Sequence, residues 1–402
     1  MPVTVRSFAK INLGLRIGRA REDGFHELLT VYQTIGLHDV IRVSVERGSG
    51  IEIRSEDPRV PRDESNTCYR IAEKALRALG VKGRAVIEID KRLPVQGGLG
   101  GASANAVATL LGLELAVRKK ISQAEKLRIA AEVGSDLPLF LVGGTVLGLG
   151  HGEQVFPLPD FPMMDCVVVT PEVGVSTPKA FAEWDKMQGL KPLSHGGRDA
   201  ALKRRSSTVD SAASASTAAR AGSRSRPAAA MSAPEFSTAG PAASPLGSEH
   251  TAELRSAGAD ECVRPYTKGG AKLTGWDGSD RMKWLSCTLS AWLSELYSSA
   301  PSGLRGGRAG NPLLRLDRAG IENDFEQVVF PEYPKLVEAK NALVRAGAKY
   351  ASLSGSGSTL YGLFGSRQAA EGAVRKLRKA GWAAQATSTL PRSAYWRRMV
   401  GG

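Results

Sequence analysis

A glycine-rich segment in the first third of the chain constrains the fold more than any other feature. It follows the apolar stretch AVIEID at residues 85–90 and leads into a sequence with helical propensity and an apolar face. Glycine lets a backbone approach a ligand closely with its N–H groups turned inward, and the helix behind such a loop presents its positive dipole end. The pattern therefore predicts a phosphate-binding loop, with a tight structural turn as the alternative. The segment LPVQGGLGGASAN, residues 93–105, contributes Gly97, Gly98, Gly100 and Gly101.

This loop does not match the two common nucleotide-binding motifs. No Lys-Ser or Lys-Thr pair follows the glycines at the spacing of a Walker loop. In the dinucleotide pattern, Ser103 stands where a third glycine is needed, and no acidic residue ends a partner strand about 20 residues further on. A phosphate loop here would have to be of another class.

Two ionisable residues suit phosphoryl transfer. Asp136 follows a predicted helix at residues 123–133 and precedes Pro138, where we expect the chain to turn directly into an apolar strand. A carboxylate held there suits accepting or orienting a hydroxyl proton, and capping of a turn is the alternative. Lys10 ends the first predicted strand and is followed by Asn12 in an otherwise apolar segment, where a lysine either reaches solvent or meets a negative charge.

Two further segments are ambiguous from the sequence. His26 follows Gly24 and Phe25 in the charged stretch RAREDGFHELLT, predicted to be a loop. No second histidine lies three to five residues away, so a metal-binding pair is not expected. His26 would then contact a base or lie on the surface. The small residues SGSGS at 354–358 would allow either close approach of a ligand or close packing of two segments.

Helical and strand patterns occur on both sides of a long segment of different composition. Asn66 is expected to cap a helix that runs to about Leu79, where Gly80 supplies a left-handed stop. Residues 190–270 are rich in Ser, Ala, Arg, Gly and Pro and predict a disordered insertion, because such a stretch cannot bury enough surface to offset its chain entropy. Alternation predicts strands at residues 3–8, 40–46 and 51–53, and helical periodicity predicts helices at 280–297, 334–346 and 367–379.

Length, charge and cysteine content narrow the class of protein. A chain of 402 residues that is 42% hydrophobic favours two domains. The net charge of +14 permits nucleic-acid binding, but eight basic residues stand against Glu371 alone from Arg367 to the end, where a solvated face is the ordinary explanation. The four cysteines lack zinc or disulfide spacing, and no segment resembles a membrane span or signal peptide, so we expect a cytosolic location.

These segments, in this order, resemble the GHMP kinase superfamily, and most closely its branch that phosphorylates 4-diphosphocytidyl-2-C-methyl-D-erythritol. The resemblance lies in AKINLGL with DGFHELLTVYQTIGLHD, in KRLPVQGGLGGASANA, in GSDLPLFLVGGTVLGLGHGE and in LSGSGSTLYGLF. It covers about residues 3–188 and 280–390 and leaves the insertion unmatched.

The resemblance implies an α+β fold of two domains. Residues 1–160 would form a domain like domain 2 of ribosomal protein S5, and residues 161–402 a ferredoxin-like domain that contains the insertion. The implied activity is transfer of the ATP γ-phosphate to the 2-hydroxyl of the substrate, with Mg²⁺. The partner would be this small molecule, without nucleic acid or membrane, and the protein a monomer or homodimer.

The resemblance also implies the site residues. Lys10 and Asp136 would serve the reacting hydroxyl, with Asp136 as base. His26 would contact the cytosine edge, Phe25 and Phe181 would stack on it, and Asn12 and Tyr32 would line the same cleft. The implied ATP-binding residues are Pro94, Val95, Gln96, Gly97, Gly98, Leu99, Gly100, Gly101, Ala102, Ser103 and Ala104, and no protein ligand to the metal is assigned.

The loop departs from the family pattern at three positions. Gln96 and Ala102 stand where glycine is usual and would narrow the space beside the phosphates if either position needs a positive φ. Ala104 stands where serine is usual, which leaves Ser103 as the polar contact. Two alternatives remain at this stage: another GHMP kinase, of homoserine or mevalonate type, and a nucleic-acid-binding protein that uses the S5-like domain and the basic tail.

Overall fold

The computed structural model describes residues 2–20, 24–95, 97–189 and 321–400. The predicted insertion at 190–270, the predicted helix at 280–297 and Gln96 lie outside these residues. Among the helices that are described, none combines the length and the apolar character needed to cross a bilayer.

The first sheet is built around a long antiparallel pair. Strand β1 (Val3–Ala20) pairs with β2 (His26–Glu46), and the remaining strands extend the sheet in the order β3-β4-β2-β5-β6. The added strands are β3 (Gly50–Arg54), β4 (Arg84–Asp90), β5 (Thr145–Gly150) and β6 (Gln154–Pro157). The accompanying helices are α1 (Thr67–Leu79), α2 (Gly101–Val117), α3 (Gln123–Val133) and α4 (Leu137–Val142).

The second sheet has the strand order of a ferredoxin-like fold. Its four strands are antiparallel in the order β10-β7-β9-β8. Of these four, the last in sequence, β10, lies beside the first, β7, and the third, β9, lies between β7 and β8. The strands are β7 (Asp165–Val169), β8 (Tyr350–Leu353), β9 (Leu360–Phe364) and β10 (Ala384–Ser388). The helices are α5 (Thr177–Met187), α6 (Glu326–Glu332), α7 (Pro334–Arg345), α8 (Arg367–Lys379) and α9 (Arg392–Val400). The α+β architecture predicted above is confirmed.

Local capping signals were sufficient to predict several helix ends. The Asn66 side chain accepts a hydrogen bond from the backbone N–H of Cys68, and Gly80 adopts the left-handed conformation with φ 59°. Both features satisfy backbone groups that a helix end leaves unpaired. The predicted helices at 123–133 and 367–379 are also confirmed.

Three local predictions were wrong. Lys10 lies inside β1 rather than at its end, and His26 begins β2 rather than lying in a loop, because the two strands pair along nearly their whole length with interruptions at β-bulges. The chain does not pass directly from Asp136 into a strand, since Leu137–Val142 forms α4. A short apolar run buried on all sides has no period that separates helix from strand, and Pro138 suits the first turn of a helix.

The last helix returns to the first sheet. Tyr395 is fully buried and donates through its hydroxyl to the carbonyl of Phe140 at 2.7 Å. The indole Nε1 of Trp396 donates to the carbonyl of Val142 at 3.1 Å. Helix α9 thus satisfies carbonyls in the last turn of α4, the helix that begins after Asp136, and Tyr395 packs in the same core as Phe140. The division into domains at residues 160 and 161 stays a prediction.

Replacing Tyr395 by phenylalanine is expected to destabilise the protein by about 1–3 kcal/mol, because the carbonyl of Phe140 loses its donor inside a core. The free energy of unfolding from urea denaturation measures this change. Arg397→Ala, on the exposed side of the same helix, is the matched control and is expected to change stability by less than about 0.5 kcal/mol. Equal stability of the two variants would contradict the anchoring role of the hydroxyl.

Candidate active site

The glycine loop reaches the start of α2 through two residues with positive φ. Gly98 has φ 79° and Gly100, the residue before α2, has φ 69°. The backbone N–H of Lys10 donates to the carbonyl of Leu99 at 2.9 Å, which joins the loop to β1. The start of α2 therefore directs backbone N–H groups and a positive dipole end at the space beside Lys10.

The loop at 354–359 supports the glycine loop from the other sheet. The hydroxyl of Ser354 donates to the carbonyl of Gly98 at 3.0 Å, and the backbone N–H of Thr359 donates to the carbonyl of Gly97 at 3.2 Å. The two backbones are so close that a Cβ built on Gly357 would lie 2.5 Å from the amide nitrogen of Gly98. Close packing against the glycine loop therefore explains Gly357, whereas a Cβ on Gly355 would lie 3.4 Å from Lys10 Nζ.

Lys10 is buried, and two oxygen atoms lie near its ammonium group. Its Nζ donates to Asn12 Oδ1 at 2.7 Å and lies 3.6 Å from Asp136 Oδ2. Burial lowers the pKa of Lys10, and the negative charge of Asp136 opposes that shift. The ammonium also lies 5.5 Å from the centre of the Tyr32 ring. The Lys10 side chain therefore meets the negative charge of Asp136, and the side-chain amide of Asn12 fixes its direction.

Asp136 presents its carboxylate to Lys10 and Tyr32. The Tyr32 hydroxyl donates to Asp136 Oδ1 at 3.1 Å, and burial, followed by the charge of Asp136, raises the pKa of Tyr32 well above its usual value. Asp136 directly precedes α4, yet within the described residues its side chain makes no capping hydrogen bond to that helix. The side chain is 34% exposed, so the carboxylate is accessible from solvent. A partly open carboxylate beside a buried ammonium suits proton abstraction from a hydroxyl.

Asn12 is oriented by β2. Its amide nitrogen donates to Thr30 Oγ1 at 2.8 Å, and the Thr30 hydroxyl in turn donates to the carbonyl of Gly14 at 2.8 Å. This chain of donors forces the Asn12 oxygen toward Lys10. Asn12 therefore contributes to the site by holding the lysine in place.

The aromatic residues predicted to stack on a base are arranged in two separate pairs. His26 stacks on Phe181 with ring centres 4.7 Å apart and planes 14° apart, and its Nε2 lies 2.7 Å from Asp185 Oδ1. Phe25 is 58% exposed and stacks instead on His151 at 4.4 Å. His26 therefore contacts Phe181, whereas Phe25 contacts His151.

The departures in the glycine loop have simple structural consequences. Ala102 lies in α2, and in the described parts of the chain Arg118 alone among non-glycine residues has a positive φ, so alanine is unstrained at 102. Ala104 packs in the core of the first sheet. Ser103 is half-buried, and Pro94 and Val95 are half-buried where the loop begins. Gln96 is the one predicted loop residue outside the described residues.

Comparison with known proteins identifies the family. The sequence profile of the GHMP kinases N terminal domain matches residues 66–144, and that of the GHMP kinases C terminal matches residues 308–382. A 4-diphosphocytidyl-2-C-methyl-D-erythritol kinase from Solibacter usitatus is 30% identical over 373 residues, which cover 93% of this chain and 84% of that protein. This chain belongs to that family of GHMP kinases. A relative of the same name from Rhodococcus jostii is 40% identical over 201 residues, 49% of this chain and 65% of that protein.

Solved structures agree with the GHMP kinase fold. A 4-(cytidine 5'-diphospho)-2C-methyl-D-erythritol kinase covers 96% of this chain and 98% of its own, with a TM-score of 0.56 and 24% identity. Mevalonate kinase of L. major, in complex with R-mevalonate, covers 96% of each chain with a TM-score of 0.57 and 14% identity. At these identities the likeness describes the fold alone.

Sequence reasoning missed a buried polar pair that joins the two sheets of this GHMP kinase. Asn323 donates from its amide nitrogen to the carbonyls of Leu353 and Gly355, at 2.9 and 2.8 Å. Asp324 accepts from Arg16 at 2.7 Å and from the backbone N–H of Ile17 at 2.8 Å. Together they tie β1 to the loop that supports Gly98. The sequence signal was only two adjacent polar residues, and burial cannot be read from such a pair.

Asp39 is a second buried carboxylate that the sequence did not single out. It is fully buried, accepts from Lys91 Nζ at 2.6 Å, and accepts from the backbone N–H groups of Arg92 and Leu93 at 2.7 Å each. Its partners lie directly before the glycine loop. Asp39 therefore fixes the point from which the loop departs.

Proposed function

We propose that this GHMP kinase transfers the γ-phosphate of ATP to the 2-hydroxyl of 4-diphosphocytidyl-2-C-methyl-D-erythritol. The observation that carries the proposal is the 30% identity to a kinase of that name across 93% of the chain. The lysine and aspartate beside a glycine loop supply the groups that such a reaction needs.

The proposed chemistry divides between Asp136 and Lys10. Asp136 accepts or aligns the proton of the substrate hydroxyl, since its carboxylate is partly exposed and is held by Tyr32 on one oxygen. Lys10 stabilises negative charge on the attacking oxygen and on the carboxylate. Because Asn12 fixes the ammonium in advance, little reorganisation is needed during the reaction.

The proposed nucleotide site uses the glycine loop. Backbone N–H groups of residues 97–103 and the start of α2 bind the β- and γ-phosphates. A Mg²⁺ carried by the nucleotide fits this arrangement, because Mg²⁺ in kinases is bound through phosphates with only one or two protein oxygens. Ser103, in the first turn of α2, and Asp136, 3.6 Å from Lys10, have side-chain oxygens that could serve in this way, and the described residues contain no cluster of three or more candidate ligands. When bound, the ion neutralises phosphate charge.

The other functions considered from the sequence are less well supported. A homoserine kinase from Cytophaga hutchinsonii and the L. major mevalonate kinase share the fold at 16% and 14% identity. Nucleic-acid binding was inferred from the S5-like domain together with the basic end of the chain, and at that end buried Tyr395 and Met399 pack α9 onto the first sheet. The cytosolic location and the monomeric or homodimeric state stay predictions.

A coupled assay of ADP release tests the proposed function. The purified protein with ATP and Mg²⁺ is expected to turn over the cytidine diphosphate substrate and to leave homoserine and mevalonate unreacted. Faster turnover of either of those two would replace the proposal with another GHMP kinase activity. Omission of Mg²⁺, with a chelator present, is expected to abolish ADP release.

His26→Ala is expected to raise the Michaelis constant of the cytidine substrate about tenfold or more while the constant for ATP stays the same, because one buried polar contact to the base is lost. Steady-state kinetics with each substrate varied in turn measures both constants. His38→Ala is the control, since His38 lies on the same strand and its ring contacts Phe8 and the carbonyl of Gly36. An unchanged Michaelis constant in His26→Ala would argue against recognition of cytosine by this residue.

A further inference from the structure

Helix α5 holds the His26 ring at two places. Phe181 lies against the face of the imidazole, and Asp185, four residues later on the same helix, lies 2.7 Å from its Nε2. Residues four apart lie on one helix face, so a single helix fixes both the plane and the rotation of the ring. His26 is 7% exposed and the Asp185 side chain 22% exposed, which keeps this pair largely out of solvent.

This contact determines which ring nitrogen carries the proton. A carboxylate only accepts hydrogen bonds, so Nε2 of His26 must donate to Asp185. In a neutral imidazole one nitrogen donates and the other accepts. In the neutral ring, the Nδ1 of His26 is therefore an acceptor.

An acceptor at this position discriminates between pyrimidines. Cytosine carries an amino donor at position 4, whereas uracil-type bases carry a carbonyl acceptor there. An acceptor nitrogen of imidazole can receive a hydrogen bond from the amino group of cytosine. Opposite uracil the same nitrogen would face a carbonyl oxygen, and neither acceptor would have a donor. A polar group left without a hydrogen-bond partner in a buried site is costly. The tautomer of the His26 ring can therefore select strongly for cytosine over uracil.

We propose that Asp185 is a positioning residue that determines base specificity, by holding His26 in the tautomer whose Nδ1 accepts from the 4-amino group of cytosine. This inference rests on the proposed function and deepens it. Asp185 acts through His26 and touches neither the phosphates nor the reacting hydroxyl. It sets selectivity for the base rather than the rate of phosphoryl transfer.

The test compares the cytidine substrate with its uridine counterpart in the full-length protein. Asp185→Asn keeps the size of the side chain, but an amide either accepts from or donates to Nε2, so both tautomers of His26 become available. The cytosine-to-uracil ratio of kcat/KM is expected to fall about tenfold or more, since 1.4 kcal/mol corresponds to a factor of ten. The kcat with the cytidine substrate and the KM for ATP are expected to stay the same.

A matched control and a direct observation of the tautomer complete the experiment. Glu183→Gln makes the same chemical change on the same helix, at a surface ion pair with Lys186, and is expected to leave the ratio unchanged. The ¹⁵N chemical shifts of His26 are expected to report Nε2–H in the unaltered protein and a mixture of tautomers in Asp185→Asn. An unchanged ratio in an active Asp185→Asn variant, or a proton on Nδ1 in the unaltered protein, would overturn the inference alone. Inactivity of the unaltered protein on both substrates would sink the proposed function and this inference with it.

Discussion

Asp136→Asn is expected to lower kcat by about 10²- to 10⁴-fold, the contribution that a positioned general base ordinarily makes. The amide keeps the size of the carboxylate and still accepts the hydrogen bond from Tyr32, but it neither takes a proton nor offers Lys10 a negative charge. Folding is expected to be preserved, because the side chain is partly exposed and makes no capping bond within the described residues. Pre-steady-state or steady-state ADP release gives kcat, and thermal unfolding checks the fold.

Glu88→Gln serves as the control for this change. Glu88 is a half-exposed carboxylate on β4 that pairs with Arg42 at the surface, and surface pairs contribute little. Its replacement is expected to leave kcat within twofold of the unaltered value. Near-normal turnover in Asp136→Asn would remove Asp136 from the mechanism, whereas an equal loss in both variants would point to a general loss of folded protein.

Gly98→Ala is expected to reduce kcat/KM for ATP by about 10²-fold or more. Gly98 has φ 79°, and a Cβ at this position would lie 2.2 Å from the carbonyl oxygen of Ser354. The unfavourable φ costs about 1–3 kcal/mol, and the clash is with backbone, which cannot rotate away. The glycine loop must therefore move off the 354–359 loop, and its N–H groups lose their alignment toward the phosphates.

Gly365→Ala is the matched control, because a Cβ there would meet nothing within 4 Å and φ is not positive. It is expected to bind ATP normally. Nucleotide affinity measured by calorimetry separates binding from turnover in both variants. Normal ATP affinity and turnover in Gly98→Ala would show that the loop tolerates displacement and that its amides do not hold the phosphates.

The roles of several residues could be predicted because their signals lie within one or two turns of the chain. Asn66 and Gly80 mark the ends of α1 by chemistry that needs no distant partner. The position of the glycine loop could be predicted for the same reason, and the structure adds that Gly98 and Gly100 adopt positive φ values, which glycine takes without strain. The family could be recognised because such local segments occur in a fixed order.

Other features could not be predicted because they depend on distant segments. Apart from Pro138, which suits a first helical turn but does not require one, no local signal near Leu137 separates helix from strand, and α4 is stabilised by packing in the core and by carbonyl contacts from α9. The different ring partners of Phe25 and Phe181 depend on the pairing of β1 with β2, in which His26 is the first residue of β2, and on the packing of α5 against His26.

The helix caps of α1, the position of the glycine loop and the membership of a kinase family could be read from the sequence, because these depend on backbone preferences and on short ordered motifs. The 3.6 Å distance between Lys10 and Asp136, and the contact between Asp185 and His26 across 159 residues, could not be read from the sequence. Those contacts arise when separate strands and helices pack around shared cores. Their geometry depends on strand register and helix packing, which no short stretch of sequence encodes.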